Sequence, residues 1–280
     1  RRVPFDMEPD VAEQLHTVPF RLVRDKIIVK GSVNGHREID FVVDTGAEQT
    51  VVSREVARAS NVQPVVYTLS AGVGEVGLRG LQLGWLDSIK IGSLKIDNVP
   101  TLIKNPPLTG IPRREVESFS PLAARLSLTI DYERFQLTIG RKIPQDSADV
   151  VLPMRQHRLV TVRGTVNDRD VSFVVDTGGE VISISSQTAS MLSRRPVVRH
   201  LPLRVYGSSG WDPDAFLLPG IDLMFNTITF PNYPVVVLDL KAPSALLGFQ
   251  VGGIVGHNFL SRYRVAIDLE ESVVRLRNIS

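Results

Sequence analysis

The sequence predicts an all-β protein made of two repeated halves, each with one short helix. Three observations carry this reading. One motif occurs twice, about half a chain apart, its flanks match in both copies, and most of the chain reads as short β-branched runs bounded by turn residues.

Residues 41–51 read FVVDTGAEQTV and residues 173–182 read FVVDTGGEVI, which sets Asp44 and Asp176 132 residues apart in a chain of 280. Lys30-Gly31-Ser32-Val33-Asn34-Gly35 precedes the first copy, and Arg163-Gly164-Thr165-Val166-Asn167-Asp168 precedes the second. Downstream, residues 127–132 (SLTIDY) and 264–269 (RVAIDL) each lead into a second β-branched run. The duplication divides the chain into lobes at 1–145 and 146–280, with a linker near Arg141 to Asp149.

Within each copy, Ile27 to Val29, Phe41 to Val43, Ile89 to Ile91 and Val99 to Ile103 read as strands. Leu159 to Val162, Val171 to Val175 and Val235 to Leu238 repeat them. Asn34-Gly35, Gly92-Ser93 and Asn98 supply turns. Helix signals are few: Ser53 is placed to cap Arg54 to Ala59, and Ser185 or Ser186 to cap Gln187 to Leu192.

Composition excludes more than it assigns. There is no cysteine, hence no disulfide framework and no thiolate zinc site, and the five histidines have no ligand spacing. The formal charge of +2 comes without a basic run, which argues against a nucleic-acid partner. The longest apolar stretch, Leu246 to Leu260, is short for a membrane span and is broken by Gln250, His257 and Asn258. The chain opens on Arg1-Arg2-Val3-Pro4 without Met, as a trimmed form would.

A single Asp-Thr-Gly arises by chance in about one chain in twenty of this length. Two copies, each after Phe-Val-Val, point to chemistry. An apolar strand delivers each carboxylate to a turn, Gly46 and Gly178 permit close backbone approach, and Thr45 and Thr177 offer hydroxyls to the opposite loop. Two carboxylates brought together share one proton, so one serves as acid and the other as base toward a water. That chemistry needs no cofactor and no metal. Ala47 and Gly179 follow the motifs and carry no hydroxyl to donate to a carboxylate. The pair is therefore expected to titrate higher than one flanked by Ser or Thr, and to work in weaker acid.

With these motifs the chain resembles the retropepsin-type aspartic proteases, specifically bacterial aspartyl proteases, over roughly residues 19–276. The resemblance implies a bilobal, closed-barrel, pepsin-like architecture in a single chain active as a monomer. It implies Asp44 and Asp176 as the catalytic pair, with Thr45, Gly46, Ala47, Thr177, Gly178 and Gly179 as supporting loops, and a protein or peptide as substrate. It implies glycine-rich flaps at Ala71, Gly72, Val73 and Gly74 and at Ser208, Ser209, Gly210 and Trp211; two flaps would follow the retroviral style. It also implies a periplasmic or secreted location. The hydrophobic-hydrophobic-Gly segment of the family is matched by Ile254-Val255-Gly256, whereas Ser118-Phe119-Ser120-Pro121-Leu122 stands in that place in the first half.

Two other readings stay open on sequence alone. The duplicated lobes suit a non-catalytic peptide-binding module, or a narrow processing peptidase silent on generic substrates. Residues 72–77 also spell GxGxxG, but alternating leucines follow instead of a helix, which argues against a dinucleotide site.

Overall fold

A computed structural model describes residues 2–73, 78–104, 117–192, 201–207 and 210–279. Each strand read from the sequence lies within an observed strand. Phe41, Val42 and Val43 are all buried, as are Phe173, Val174 and Val175, because these strands are covered on both faces and have no solvent side to alternate toward.

Each half closes into a six-stranded barrel. In the first, Lys26–Val33, Ile39–Val43, Ser118–Phe119, Thr50–Ser53, Leu94–Lys104 and Leu78–Ile91 neighbour one another in that order. The ring closes where Ser32 and Val33 pair with Lys90 and Ile89. The second half repeats it with Leu159–Val166, Arg169–Val175, Gly253–Val255, Ser183–Ser185, Ile228–Leu238 and Phe216–Phe225, closed by Thr165 and Val166 against Met224 and Leu223.

The repeated glycines make these closures possible. A Cβ on Gly31 would lie 2.7 Å from the Lys90 carbonyl oxygen, and one on Gly164 would lie 2.7 Å from the Phe225 ring. The turns that feed the closing strands are equivalent too. Asn34-Gly35 and Asn167-Asp168 both adopt left-handed backbone at their two central residues, the twist that suits a tight hairpin.

A third sheet layer joins the halves: His16–Pro19, Gln136–Gly140, Ser127–Asp131, Tyr263–Asp268, Val273–Asn278 and Val150–His157. At its centre Leu128, Thr129 and Ile130 pair antiparallel with Ile267, Ala266 and Val265. One apolar core runs through this layer into both barrels, from Phe41 and Phe119 to Phe173, Phe225 and Phe259. Residues 141–149 connect the layer's two sides without helix or strand.

Helices Arg54–Ala59 and Ser186–Leu192 begin at the expected caps, with Ser53 Oγ accepting from Val56 N at 3.1 Å and Ser185 Oγ from Thr188 N at 3.0 Å. Three more short helices, Pro9–Glu13, Lys241–Leu247 and His257–Leu260, exceed the one per half read from the sequence. None has a cap hydrogen bond from its N-cap side chain, and the signal that did precede the first, Pro9 at its start, is shared with turns.

Asp268 ends a strand of the joining layer with its side chain almost fully buried. It accepts from Arg275 Nη2 at 2.5 Å and from the amides of Glu270 and Glu271. Removing it strands a buried cation and two turn amides. Asp268→Ala is expected to lower the urea unfolding free energy by about 3–5 kcal/mol. Asp170→Ala, which breaks the exposed 3.7 Å pair with Arg163, is expected to cost less than about 1 kcal/mol.

Candidate active site

Asp44 and Asp176 leave their strands at equivalent points. Val42 and Val43 pair in parallel with Ser118 and Phe119, and Asp44 N donates to Phe119 O at 3.0 Å. Phe173, Val174 and Val175 pair with residues 253–255 in the same way, and Asp176 N donates to Val255 O at 3.0 Å. Each loop then curls over its own carboxylate, as Gly46 N donates to Asp44 Oδ1 at 2.9 Å and Gly178 N to Asp176 Oδ1 at 2.7 Å.

The two loops meet, and the carboxyl groups of Asp44 and Asp176 come close enough that the Asp176 charge raises the hold of Asp44 on its proton. A Cβ on Gly178 would lie 2.8 Å from Asp44 Cγ, and one on Gly46 would fall on the Asp176 carboxyl. Glycine is needed in each loop because the opposite carboxylate occupies the space a side chain would take.

Behind them the threonines lock the loops together. Thr45 N donates to Thr177 Oγ1 and Thr177 N to Thr45 Oγ1, both at 3.0 Å. The hydroxyls in turn donate across, Thr45 to Val175 O at 2.7 Å and Thr177 to Val43 O at 2.6 Å. Both threonines are buried, so all four bonds are shielded from water.

The Asp44 carboxyl is pushed up to about 8 from the ordinary 3.8. Removal from water is the largest cause, followed by the neighbouring Asp176 charge and the hydrogen bond between them, while Gly46 N–H and Lys26 pull the other way. A carboxyl so placed keeps its proton at a pH where an ordinary aspartate is ionised.

Four charged residues that sequence reasoning passed over complete the surroundings. Lys26 of the first half donates to the Gly178 carbonyl and lies 3.9 Å from Glu180. Arg158 of the second half grips Glu48 and also donates to Leu246 O. Glu48 and Glu180 each stand four residues past their motif aspartate, a repeat visible in the sequence once their partners are known. Beside Lys26, Asp25 lies 3.7 Å from His257 Nε2; burial holds that imidazole below its usual range.

The supporting segments differ between halves as the sequence indicated. Gly256 packs so tightly that a Cβ would lie 2.7 Å from Gly179 C and O, and His257 N and Asn258 N donate to Gly179 O and Glu180 O, each at 2.9 Å. Buried Ser120 takes the equivalent place in the first half, and Pro121, having no N–H to give, starts a short 3-10 turn, Leu122–Ala124. The Ser120 hydroxyl accepts from Ala123 N at 3.4 Å. The parallel pairing of Ser118 and Phe119 is kept despite the change.

Of the residues read as flaps, Ala71 ends the strand Pro64–Ala71, which forms a hairpin with Leu78–Ile91. Val73 crosses to the second half, packs against a cluster that includes Val174, Leu240 and Leu247, and sets its carbonyl where a Gly207 side chain would be. Gly210 and Trp211 pair with Gly207 and Tyr206. Gly74, Ser208 and Ser209 lie outside the described residues.

Residues 29–111, which contain Asp44, match the gag-polyprotein aspartyl protease family. Residues 162–259, which contain Asp176, match a family described as aspartyl protease. No curated protein matches the sequence. Among solved structures, the crystal structure of aspartic proteinase from Irpex lacteus superposes with a TM-score of 0.58 at 12% identity, covering 95% of this chain and 98% of that one.

The threonine exchange yields a direct test. Thr177→Val removes a hydroxyl that both donates to Val43 O and accepts from Thr45 N, leaving two buried backbone groups unpaired. The expected loss is about 2–5 kcal/mol of unfolding free energy in urea. Thr177→Ser, which keeps the hydroxyl, is expected to restore most of it.

Proposed function

The chain belongs to the retropepsin- and pepsin-like aspartic proteases, and from that premise we propose that it is an aspartic endopeptidase with Asp44 and Asp176 as its catalytic pair. The observation that carries the reading is the meeting of the two carboxyl-bearing loops, each glycine seated against the opposite carboxyl, with Asp44 held protonated by burial and by its neighbour.

In this reading residues 1–145 and 146–280 act as two lobes, and an extended peptide lies between them. The ionised carboxylate takes a proton from a water, whose oxygen adds to the peptide carbonyl carbon. The protonated carboxyl gives its proton to the carbonyl oxygen, so a neutral tetrahedral diol forms with no covalent bond to the protein. The carboxyl that now holds the proton gives it to the nitrogen, the other takes a proton from a diol hydroxyl, and the C–N bond breaks to release the amine and the carboxylic acid, so the pair again holds one proton. The segments around Val73 and Gly207 act as flaps over the peptide. One chain supplies both aspartates, so the monomer suffices.

Asp44→Asn and Asp176→Asn are each expected to bring hydrolysis of a diverse peptide library to background while the unfolding midpoint stays folded-like. Substantial cleavage by either variant would refute the pair. A chain that binds peptides and cuts none at any pH would instead be a peptide-binding module.

Activity needs one shared proton and falls as pH rises through the upper value of the pair. The raised Asp44 places that alkaline limb well above strong acid. Lys26 favours the ionised form, so Lys26→Met is expected to move the limb upward. A hydroxyl donated to the carboxylate also favours ionisation, so Ala47→Ser is expected to move it downward. The measurement is kcat/KM against pH for the three proteins with one peptide; shifts in the reverse senses would show that other groups set the proton affinity.

A further inference from the structure

A pocket of about 730 Å³ opens where the two halves meet, lined by neither Asp44 nor Asp176. Arg125, Arg141, Lys142 and Arg158 line it, with Glu48 and Glu270 as its carboxylates. Both carboxylates are already engaged, Glu48 by Arg158 and Glu270 by Lys142 at 3.0 Å. Arg141 has only a 3.9 Å contact with exposed Glu13, and Arg125 forms no ion pair among the described residues. Two guanidinium groups are therefore left to face the pocket without a strong anionic partner.

The backbone at Arg125 adds a second, independent observation. It ends the turn Leu122–Ala124 in the left-handed region, with φ 57°, where glycine or asparagine would fit at lower conformational cost. An arginine there keeps a cation on the pocket wall at the expense of local backbone preference. The volume falls within the range that holds a ligand of several residues, far more than a single small anion fills. Planar guanidinium groups pair two-pronged with carboxylates. The wall is also continuous with the dyad loops, since Glu48 lies four residues beyond Asp44 and Leu122 two beyond Ser120.

We propose that this pocket is an accessory site for an acidic segment of a polypeptide, held by Arg125 and Arg141 apart from the two aspartates. That the polypeptide is a substrate rests on the peptidase reading above; the recognition of acidic sequence does not.

The test uses the full chain carrying Asp44→Asn, so that nothing is cut, and fluorescence anisotropy of labelled hexaglutamate, with labelled hexaglutamine as the neutral probe. Hexaglutamate is expected to bind, more weakly as salt rises, and hexaglutamine not to. Arg125→Glu should weaken hexaglutamate binding about tenfold, as one attraction becomes a repulsion. Arg125→Lys should retain most of it. Arg163→Glu, the same charge change at an exposed arginine that does not line the pocket, should leave it unchanged. Absence of hexaglutamate binding, or equal weakening by Arg125→Glu and Arg163→Glu, would overturn the proposal. Because binding is read on a chain that cannot cut, its failure would leave wild-type cleavage as a separate question.

Discussion

Two acidic side chains pressed against each other repel as soon as both ionise, and the rest of the molecule works against that repulsion. The loops carrying Asp44 and Asp176 press together until Gly46 and Gly178 each run out of room for a methyl group. What keeps them there is the exchange of four buried hydrogen bonds between Thr45 and Thr177 and the strand ends behind them. Because the loops are fixed, relief comes by keeping a proton, which is why Asp44 holds one so far above an ordinary carboxyl. The raised hold of Asp44 on its proton thus follows from packing.

Every layer of support crosses from one half to the other. The hydroxyl of Thr45 ends on a carbonyl of the second half and that of Thr177 on one of the first. Lys26 and Arg158 reach in opposite directions to glutamates at matching positions, and the joining layer pairs residues 128–130 with 265–267. The symmetry is nevertheless broken at Ser120 and Gly256, and at a lysine answered by an arginine. A chain that contains both halves is free to vary each one, and the two carboxyls accordingly sit in unequal surroundings.

Much of this was legible in the sequence because the signals were local and repeated. The apolar runs gave the strands, Asn34-Gly35 its turn, Ser53 and Ser185 their caps, and the doubled motif the residues that meet at the centre. Lys26 and Arg158 escaped notice because a charge next to a hairpin turn has no meaning until another surface packs against it. The helix Lys241–Leu247 escaped because its N-cap position is held by Leu240, not by Ser, Thr, Asp or Asn. The substitution at Ser120 was visible, but its outcome was not: Pro121 turns the chain into a 3-10 segment while Ser118 and Phe119 hold their pairing.

The threonine exchange links residues 132 apart along the chain, and so has a bearing on when the site comes into being. During synthesis the first barrel emerges with a lone aspartate, an ordinary surface acid in an unfinished loop. Contacts of such long separation form late, after the second barrel has been made and has docked. The paired carboxyls are therefore assembled only once both halves of the chain are present.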